Sequence, residues 1–229
     1  MLFLALLGGA YLFARDYVRR HPQDVPWTAL DLGDPVGAFS GQKLAALTRK
    51  PTECRMLLSR TSVAYAPAPP VSAGASCGYS DGMRIASRDV RYAPAGLVAS
   101  CPVAASLYLL EKEAQHAAVR HFNSRLVAIE HFGSYSCRRL YGRSEGEFSE
   151  HATADALDIA GFAFADGTRI RVQRDWASGG PKSAFLRDIR DSACRLFSTV
   201  LSPDYNSAHA DHLHLDQAAR GSFGGRLCR

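Results

Sequence analysis

Six cysteines spread along the chain constrain its fold more than any other feature of the sequence. No two of them have the CxxC or CxC spacing of a zinc ribbon or a thioredoxin-type motif. An even number of widely spaced cysteines is typical of three disulfides made in an oxidising compartment, and fits six buried cytosolic thiols less well. The sequence does not determine how they pair. The cysteines are Cys54, Cys77, Cys101, Cys137, Cys194 and Cys228.

Composition and charge set the broad class of the protein. The 229 residues are 47% hydrophobic and 21% charged, which is an ordinary globular mixture for one domain, or for one domain with a small annex. The net charge of +5 is mildly basic, but the arginines are scattered rather than concentrated on one element. We therefore expect no nucleic-acid partner. A basic surface suits an anionic polymer such as the bacterial cell wall.

The apolar residues 1–14, followed by Arg15 and Asp16, indicate export. Fourteen residues fall short of the roughly 20 that a helix needs to cross a bilayer. Residues 1–20 therefore fit a signal peptide or a short signal anchor. Because no clear A-x-A cleavage site follows, the anchor is favoured, although the basic residues lie on the wrong side for simple export. We expect a periplasmic protein attached to the inner membrane.

Prolines and hydrophobic periodicity divide the rest of the chain. Prolines and weak periodicity predict a linker over 21–50, a small N-terminal subdomain over 51–100 and a core over 101–229. The order of predicted elements in the core favours an α+β fold, an antiparallel sheet packed by helices and stapled by disulfides. We predict helices over 42–47, 52–59, 102–121 and 183–201, strands over 83–86, 97–100, 126–131 and 211–216, and a hairpin over 156–174 that turns at Asp166-Gly167.

Two short segments concentrate side chains that can bind a metal or transfer protons. They hold four of the eight histidines, a grouping that scattered core histidines do not usually show. Zinc prefers imidazole nitrogen and carboxylate oxygen, and a catalytic zinc keeps three protein ligands and a water. The segments read SEHATADALD at 149–158 and HADHLHLD at 209–216.

Strand geometry predicts which of these side chains meet. Alternate side chains of a strand share a face, so His212 and His214 project the same way. Asp158 lies between two aliphatic residues that face the opposite side, which turns its carboxylate towards a cleft. His151 precedes that strand and can fold back to meet it. The sequence predicts a His, Asp, His set with a second histidine beside it.

These motifs resemble those of a group of zinc peptidases. The pattern S-x-H-x-x-[GA]-x-A-x-D followed by H-x-H is similar to that of D-Ala-D-Ala carboxypeptidases, lysostaphin and the hedgehog signalling domain. From about Cys54 to Arg229 the chain more closely resembles the bacterial extensin-like C-terminal domain proteins. IEHFGSYSCRR, SEHATADALDIAGF, RDW and HADHLHLD carry this resemblance. It implies a fold like that of hedgehog and the D-Ala-D-Ala peptidases.

The resemblance also implies roles for individual residues. It assigns His151, Asp158 and His214 as ligands of Zn²⁺. Ser149 matches a serine that orients the site. Position 154 is Ala, where many relatives have Gly.

Two neighbouring residues compete for the role of general base. The second motif matches D-x-x-H, in which the acid is the base, through Asp211. It also matches H-x-x-H-x-H of a murein endopeptidase branch through His209, His212 and His214. On a regular strand His212 faces with His214, whereas Asp211 needs a turn to do so, but a carboxylate takes a water proton readily beside zinc. Both candidates stay open.

Further residues are expected around this set. In the stretch SYSCRR, either Arg138 or Arg139 is expected to polarise the scissile carbonyl. Asp216 is expected to hold the far nitrogen of a ligand histidine, since carboxylates commonly do so. His209 is expected to support the site or to contact substrate.

The predicted function is zinc-dependent hydrolysis of peptide bonds in bacterial peptidoglycan by a metal-activated water, as an endopeptidase or a carboxypeptidase. The alternative is a non-catalytic zinc module that binds cell wall or a protein, and a third reading is an amidase of the sugar-to-peptide bond. Asp211 and His212 beside three ligands favour an enzyme, because a fourth protein ligand closes a structural zinc site.

Overall fold

The computed structural model of the chain describes residues 2–61, 64–86, 89–220 and 225–229. Within them the α-helices are α1 (Leu2–Arg20), α2 (Ser40–Ala46), α3 (Pro51–Ser59), α4 (Cys101–Phe122), α5 (Val172–Asp175) and α6 (Gly180–Leu196). The strands are β1 (Ala64–Pro67), β2 (Val71–Ser72), β3 (Gly78–Tyr79), β4 (Met83–Ala86), β5 (Arg91–Ala93), β6 (Val98–Ala99), β7 (Leu126–Gly133), β8 (Ala156–Phe164), β9 (Arg169–Arg171), β10 (Thr199–Leu201), β11 (Leu213–Asp216) and β12 (Leu227–Cys228).

The main sheet has the strand order β12-β10-β11-β8-β7-β5, and β9 also pairs with β8. Its central pairs are antiparallel, whereas β12 and β5 at its two edges pair in parallel with β10 and β7. One edge of β8 pairs with β7. The other edge pairs with β11 along its first half and with β9 along its second half. Strand β8 therefore lies at the middle of the sheet and is buried along its whole length. The predicted α+β class with an antiparallel sheet is confirmed.

Helices α4 and α6 pack against each other and cover the core side of the sheet. The Ser100 side chain caps α4 by accepting a hydrogen bond from Val103 N, and Asn123 ends it in the left-handed conformation at φ 47°. Phe185 of α6 lies against Phe122, Phe162 and Phe164, with ring centroids 5.1 to 5.6 Å apart. This aromatic cluster joins the helices to the sheet.

Three disulfides join the six cysteines, as predicted. Cys54–Cys101 ties α3 to the start of α4, and Cys194–Cys228 ties α6 to the edge strand β12. Cys77–Cys137 ties the β2–β3 hairpin to the segment between β7 and β8. Two of the disulfides therefore fix α3 and β12 to the long helices, and the third joins two segments outside the main sheet.

Part of the segment expected as a linker belongs to the core instead. Leu30, Leu32, Leu44 and Leu47 are buried, and α2 packs on α4 and α6. These leucines lack the long helical periodicity that identifies core residues in sequence, because they lie in irregular segments, in the short helix α2 and in the 3-10 turn that follows it. The part of residues 21–50 that carries these leucines therefore packs against the domain.

Two element boundaries also differ from the sequence prediction. Helix α6 begins at Gly180, which like the preceding Gly179 has a positive φ. It does not begin at Ser183, whose hydroxyl donates to the Trp176 carbonyl. It ends at Leu196, and Val200 lies in β10; Val200 matched the apolar helical pattern because its side chain is buried there too. The predicted hairpin ends at Arg171, where α5 begins.

Helix α1 carries large apolar side chains that are exposed to solvent, from Phe3 to Tyr17. No helix in the described part of the chain has the length and apolar character of a membrane span.

Candidate metal centre

The pairing of β8 with β11 builds the candidate site. In its register Asp158 lies directly opposite His214, and cross-strand partners on one face of an antiparallel pair are close neighbours. His214 Nδ1 lies 2.9 Å from Asp158 Oδ1. Two residues 56 positions apart in the sequence thus meet through backbone pairing alone.

His151 reaches this pair from a short 3-10 helix, Glu150–Thr153, in front of β8. The Ser149 side chain caps that helix by accepting from His151 N. Ala154 ends it in the left-handed region at φ 56°, a conformation that favours glycine. This explains why the motif accommodates Gly at this position. His151 Nε2 lies 3.1 Å from Asp158 Oδ2 and 3.3 Å from His214 Nδ1.

Among the described residues, His151, Asp158 and His214 form a group whose donor atoms all lie within 4.8 Å of one another. His151 Nδ1 donates to the Ser134 carbonyl at 2.6 Å, which directs the lone pair of Nε2 to the group. His214 Nε2 lies 3.0 Å from Asp216 Oδ2, the contact expected for Asp216. This contact turns the other ring nitrogen of His214, Nδ1, towards the group. Two imidazole nitrogens, each oriented by an outer partner, and a carboxylate oxygen fit the ligand preference of zinc.

The electrostatics of this group are strongly coupled. Burial opposes protonation of His214, but hydrogen bonds to Asp158 and Asp216 outweigh burial and raise the pKa of His214 to about 9. Burial also opposes ionisation of Asp158, yet hydrogen bonds from His151 and His214 hold the pKa of Asp158 well below its usual range. A metal cation would compete with the proton shared by His214 and Asp158, so metal binding would release a proton.

The structure places the two candidate bases differently. His212 Nε2 lies 3.5 Å from Asp158 Oδ1, next to the group. Asp211 lies in the turn before β11 and contacts His212 Nδ1 at 2.7 Å, on the side of the ring away from Asp158. The Asp211 side chain is 46% exposed, whereas that of His212 is 12% exposed. His212 therefore faces the group, and Asp211 contacts the opposite side of the His212 ring.

A cleft of about 760 Å³ opens over the group. Arg138 lines it, but Arg139 does not: the Arg139 guanidinium stacks on the Phe148 ring at 4.4 Å and donates to the Gly146 carbonyl. Of the two candidate arginines, only Arg138 faces the cleft. Ser149, His209 and Asp216 also line the cleft, as the sequence predicted for residues around the site.

Sequence reasoning missed several residues of the cleft. Glu150 lines the cleft next to His151 in the first motif, and this position was the only signal for it. Arg220 follows β11, and its Nε and Nη2 donate to Thr199 Oγ1. Tyr141 and Tyr205 come from two separate loops. No pattern in the sequence connects these loops.

His209 is buried beside the group without entering it. Its ring centroid lies 5.2 Å from that of His212 and 5.8 Å from that of His214. Burial, and then the positive charge of neighbouring His212 and His214, lower the pKa of His209 to about 4. His209 is therefore neutral at physiological pH.

Fold and site together define a class: an α+β domain cross-linked by disulfides, with a buried His, Asp, His group at the floor of a cleft. The family model described as extensin-like protein C-terminus matches residues 52–229. The chain belongs to this extensin-like C-terminal family. No curated protein and no solved structure matches the chain.

Asp155 is a buried carboxyl group behind the site. It is 8% exposed and accepts a hydrogen bond from Ser100 Oγ at 2.5 Å. Burial raises its pKa to about 8, against the opposing effect of the Ser100 hydrogen bond. The folded chain thus keeps a proton on Asp155 that the unfolded chain, where the pKa has its ordinary value of 3.8, releases.

This shift predicts a pH-dependent effect of Asp155→Asn. As pH rises from about 4 to about 8, the free energy of unfolding of the wild type should lose up to roughly 1.4 kcal/mol per pH unit through this group. The amide of the Asp155→Asn variant keeps an oxygen for Ser100 but does not ionise. The free energy of unfolding of the variant should therefore rise relative to that of the wild type as the pH increases from about 4 to about 8. Urea unfolding at several pH values measures this. Glu145→Gln, at an exposed position, is the control, and parallel curves for Asp155→Asn and wild type would contradict the prediction.

Proposed function

We propose that this chain is a zinc-dependent peptidase that hydrolyses peptide bonds in bacterial peptidoglycan. The observation that carries the proposal is His212, held by Asp211, beside a three-donor group at the floor of an open cleft. His151, Asp158 and His214 would hold the zinc. Bound zinc with an open position lowers the pKa of water to about 7 and polarises a carbonyl.

The residues around the group have separate roles in this mechanism. His212 Nε2 takes up the proton of the attacking water and returns it to the leaving amine. The Asp211 carboxylate accepts from His212 Nδ1–H, which fixes the ring and stabilises it when it is protonated. Arg138, at the wall of the cleft, donates to the oxygen of the scissile carbonyl as negative charge develops there.

The choice of peptidoglycan as substrate comes from the resemblance to zinc peptidases of the cell wall and from charge. Peptide stems of peptidoglycan carry free carboxylates, and the cleft presents Arg138 and Arg220 to such groups. The net charge of +5 also favours an anionic polymer. Incubation of the full chain with purified muropeptides, with and without chelator, followed by mass spectrometry, tests the reaction and identifies the bond.

The alternative is a zinc module that binds cell wall or a protein without cleaving it. The open cleft argues against this alternative, because a structural zinc site is closed by a fourth protein ligand and the described residues supply three. Zinc-loaded protein that binds wall but cleaves no muropeptide would favour the module. Products cut between sugar and peptide would identify an amidase.

We predict about one zinc per chain, lost in His151→Ala, Asp158→Ala and His214→Ala. Each substitution removes one of three donors, and tight catalytic zinc sites use three protein ligands. Metal analysis after dialysis against a weak chelator measures the occupancy. His116→Ala, at an exposed position of α4, is the matched control and should keep its zinc. Full occupancy in His214→Ala would refute the ligand assignment.

We predict that His212→Gln lowers kcat about 10²–10⁴-fold, the usual contribution of a general base. Asp211→Asn should cost less, about 10–100-fold, because Asp211 acts through His212. The double variant should be little worse than His212→Gln, since the two residues act as one unit. Zinc content is measured in each variant so that metal loss is not mistaken for loss of the base. A larger loss in Asp211→Asn than in His212→Gln would assign the base to Asp211.

We propose that α1 attaches the protein to the periplasmic face of the inner membrane. Its apolar side chains are exposed, and Arg15, Arg19 and Arg20 follow them where anionic lipid headgroups would lie. Trp27, 75% exposed, lies on the turn just after α1, which the Tyr17–Asp24 hydrogen bond holds to the helix. Tryptophan favours the membrane interface.

This attachment predicts that Trp27 contacts lipid. The full chain should float with vesicles of anionic lipid, and brominated lipid should quench part of its tryptophan fluorescence. Trp27→Phe leaves only the buried Trp176, so quenching should disappear while flotation persists. Failure of the wild type to float would contradict membrane attachment.

A further inference from the structure

Asn206 connects the two walls of the cleft. It lies in the loop between β10 and the short 3-10 helix Ser207–His209. Its Oδ1 accepts from Ala208 N at 3.1 Å and lies 2.7 Å from His209 Nδ1. Its Nδ2 lies 3.4 Å from Tyr141 Oη, on the loop of the opposite wall. The sequence motifs do not include Asn206.

These contacts fix the proton of His209. The backbone N–H of Ala208 can only donate, so the side-chain atom of Asn206 that it meets must be the oxygen. That same oxygen can only accept, so His209 Nδ1 must carry the proton. In a neutral ring with its proton on Nδ1, Nε2 keeps the lone pair. Asn206 thus selects one tautomer of His209.

Asn206 leaves the second ring nitrogen of His209, Nε2, unbound. His209 lines the cleft, and its ring lies against the rings of Tyr205, His212 and His214. Nε2 has no hydrogen-bond partner within the described part of the chain. Peptides carry an N–H group at nearly every residue, so an acceptor at this place can receive a hydrogen bond from a peptide substrate.

We propose that Asn206 is a positioning residue, which holds His209 as its Nδ1–H tautomer so that His209 Nε2 accepts a hydrogen bond from a substrate N–H. The tautomer follows from the contacts of the chain itself. The substrate contact rests on the proposed peptidase function. Tyr141 braces Asn206 from the other wall and does not set the tautomer.

Two-dimensional long-range ¹H–¹⁵N correlation of the full chain with ¹⁵N-histidine tests the tautomer. We expect a protonated Nδ1 and an unprotonated Nε2 for His209, assigned by their loss in His209→Gln. In Asn206→Ser the shorter hydroxyl can still cap Ala208 N but does not reach His209, so the signals should move towards the Nε2–H form. Tyr141→Phe should leave them unchanged. An Nε2–H form in the wild type, or an unchanged pattern in Asn206→Ser, would overturn the proposal.

Kinetics test the substrate contact separately. With a muropeptide that the wild type cleaves, Asn206→Ser should raise KM by about tenfold, the effect of one lost hydrogen bond, and change kcat by less than about twofold. An unchanged KM would mean that Asn206 only caps the 3-10 helix, which overturns the substrate contact. If the wild type cleaves no muropeptide, the proposed function and the substrate contact both fail, while the NMR result still decides the tautomer.

Discussion

The register between β8 and β11 is the constraint on which the rest of the site depends. Leu157 pairs with Leu215 and Ile159 with Leu213, and all four side chains are fully buried. A shift by one residue would turn Asp158 into the core and expose these aliphatics, each of which gains about 1.5–3 kcal/mol from burial. The apolar pairs thus hold the register, and the register places Asp158 against His214.

The histidines of the site share one design, in which an outer acceptor holds one ring nitrogen and leaves the other to the cleft. The acceptors differ in charge, and an acceptor's charge affects how readily the histidine beside it holds a proton. Neutral oxygens face His151 and His209, whereas carboxylates face His212 and His214, and those beside His214 raise its pKa. The pairs are His151 with the Ser134 carbonyl, His209 with Asn206, His212 with Asp211, and His214 with Asp216.

The segment between β7 and β8 supplies one wall of the cleft and has little regular structure of its own. The Cys77–Cys137 disulfide fixes it next to Arg138. Arg139 secures its far end through the Phe148 ring and a backbone bridge between the two residues. Covalent and stacking contacts thus replace the hydrogen-bond ladder that a strand would provide, and they leave Arg138 facing the cleft.

The sequence by itself determined the class of fold, the two long helices, the existence of three disulfides and the two segments that hold the site. These features depend on periodicity and on short-range spacing, which a single sequence displays. Tertiary structure alone decided the disulfide pairs and the burial of four leucines between positions 30 and 47. It also decided that His212 rather than Asp211, and Arg138 rather than Arg139, faces the cleft. Adjacent residues point in different directions according to a turn before β11 or a bridge to Phe148, and contacts with distant parts of the chain set those local conformations.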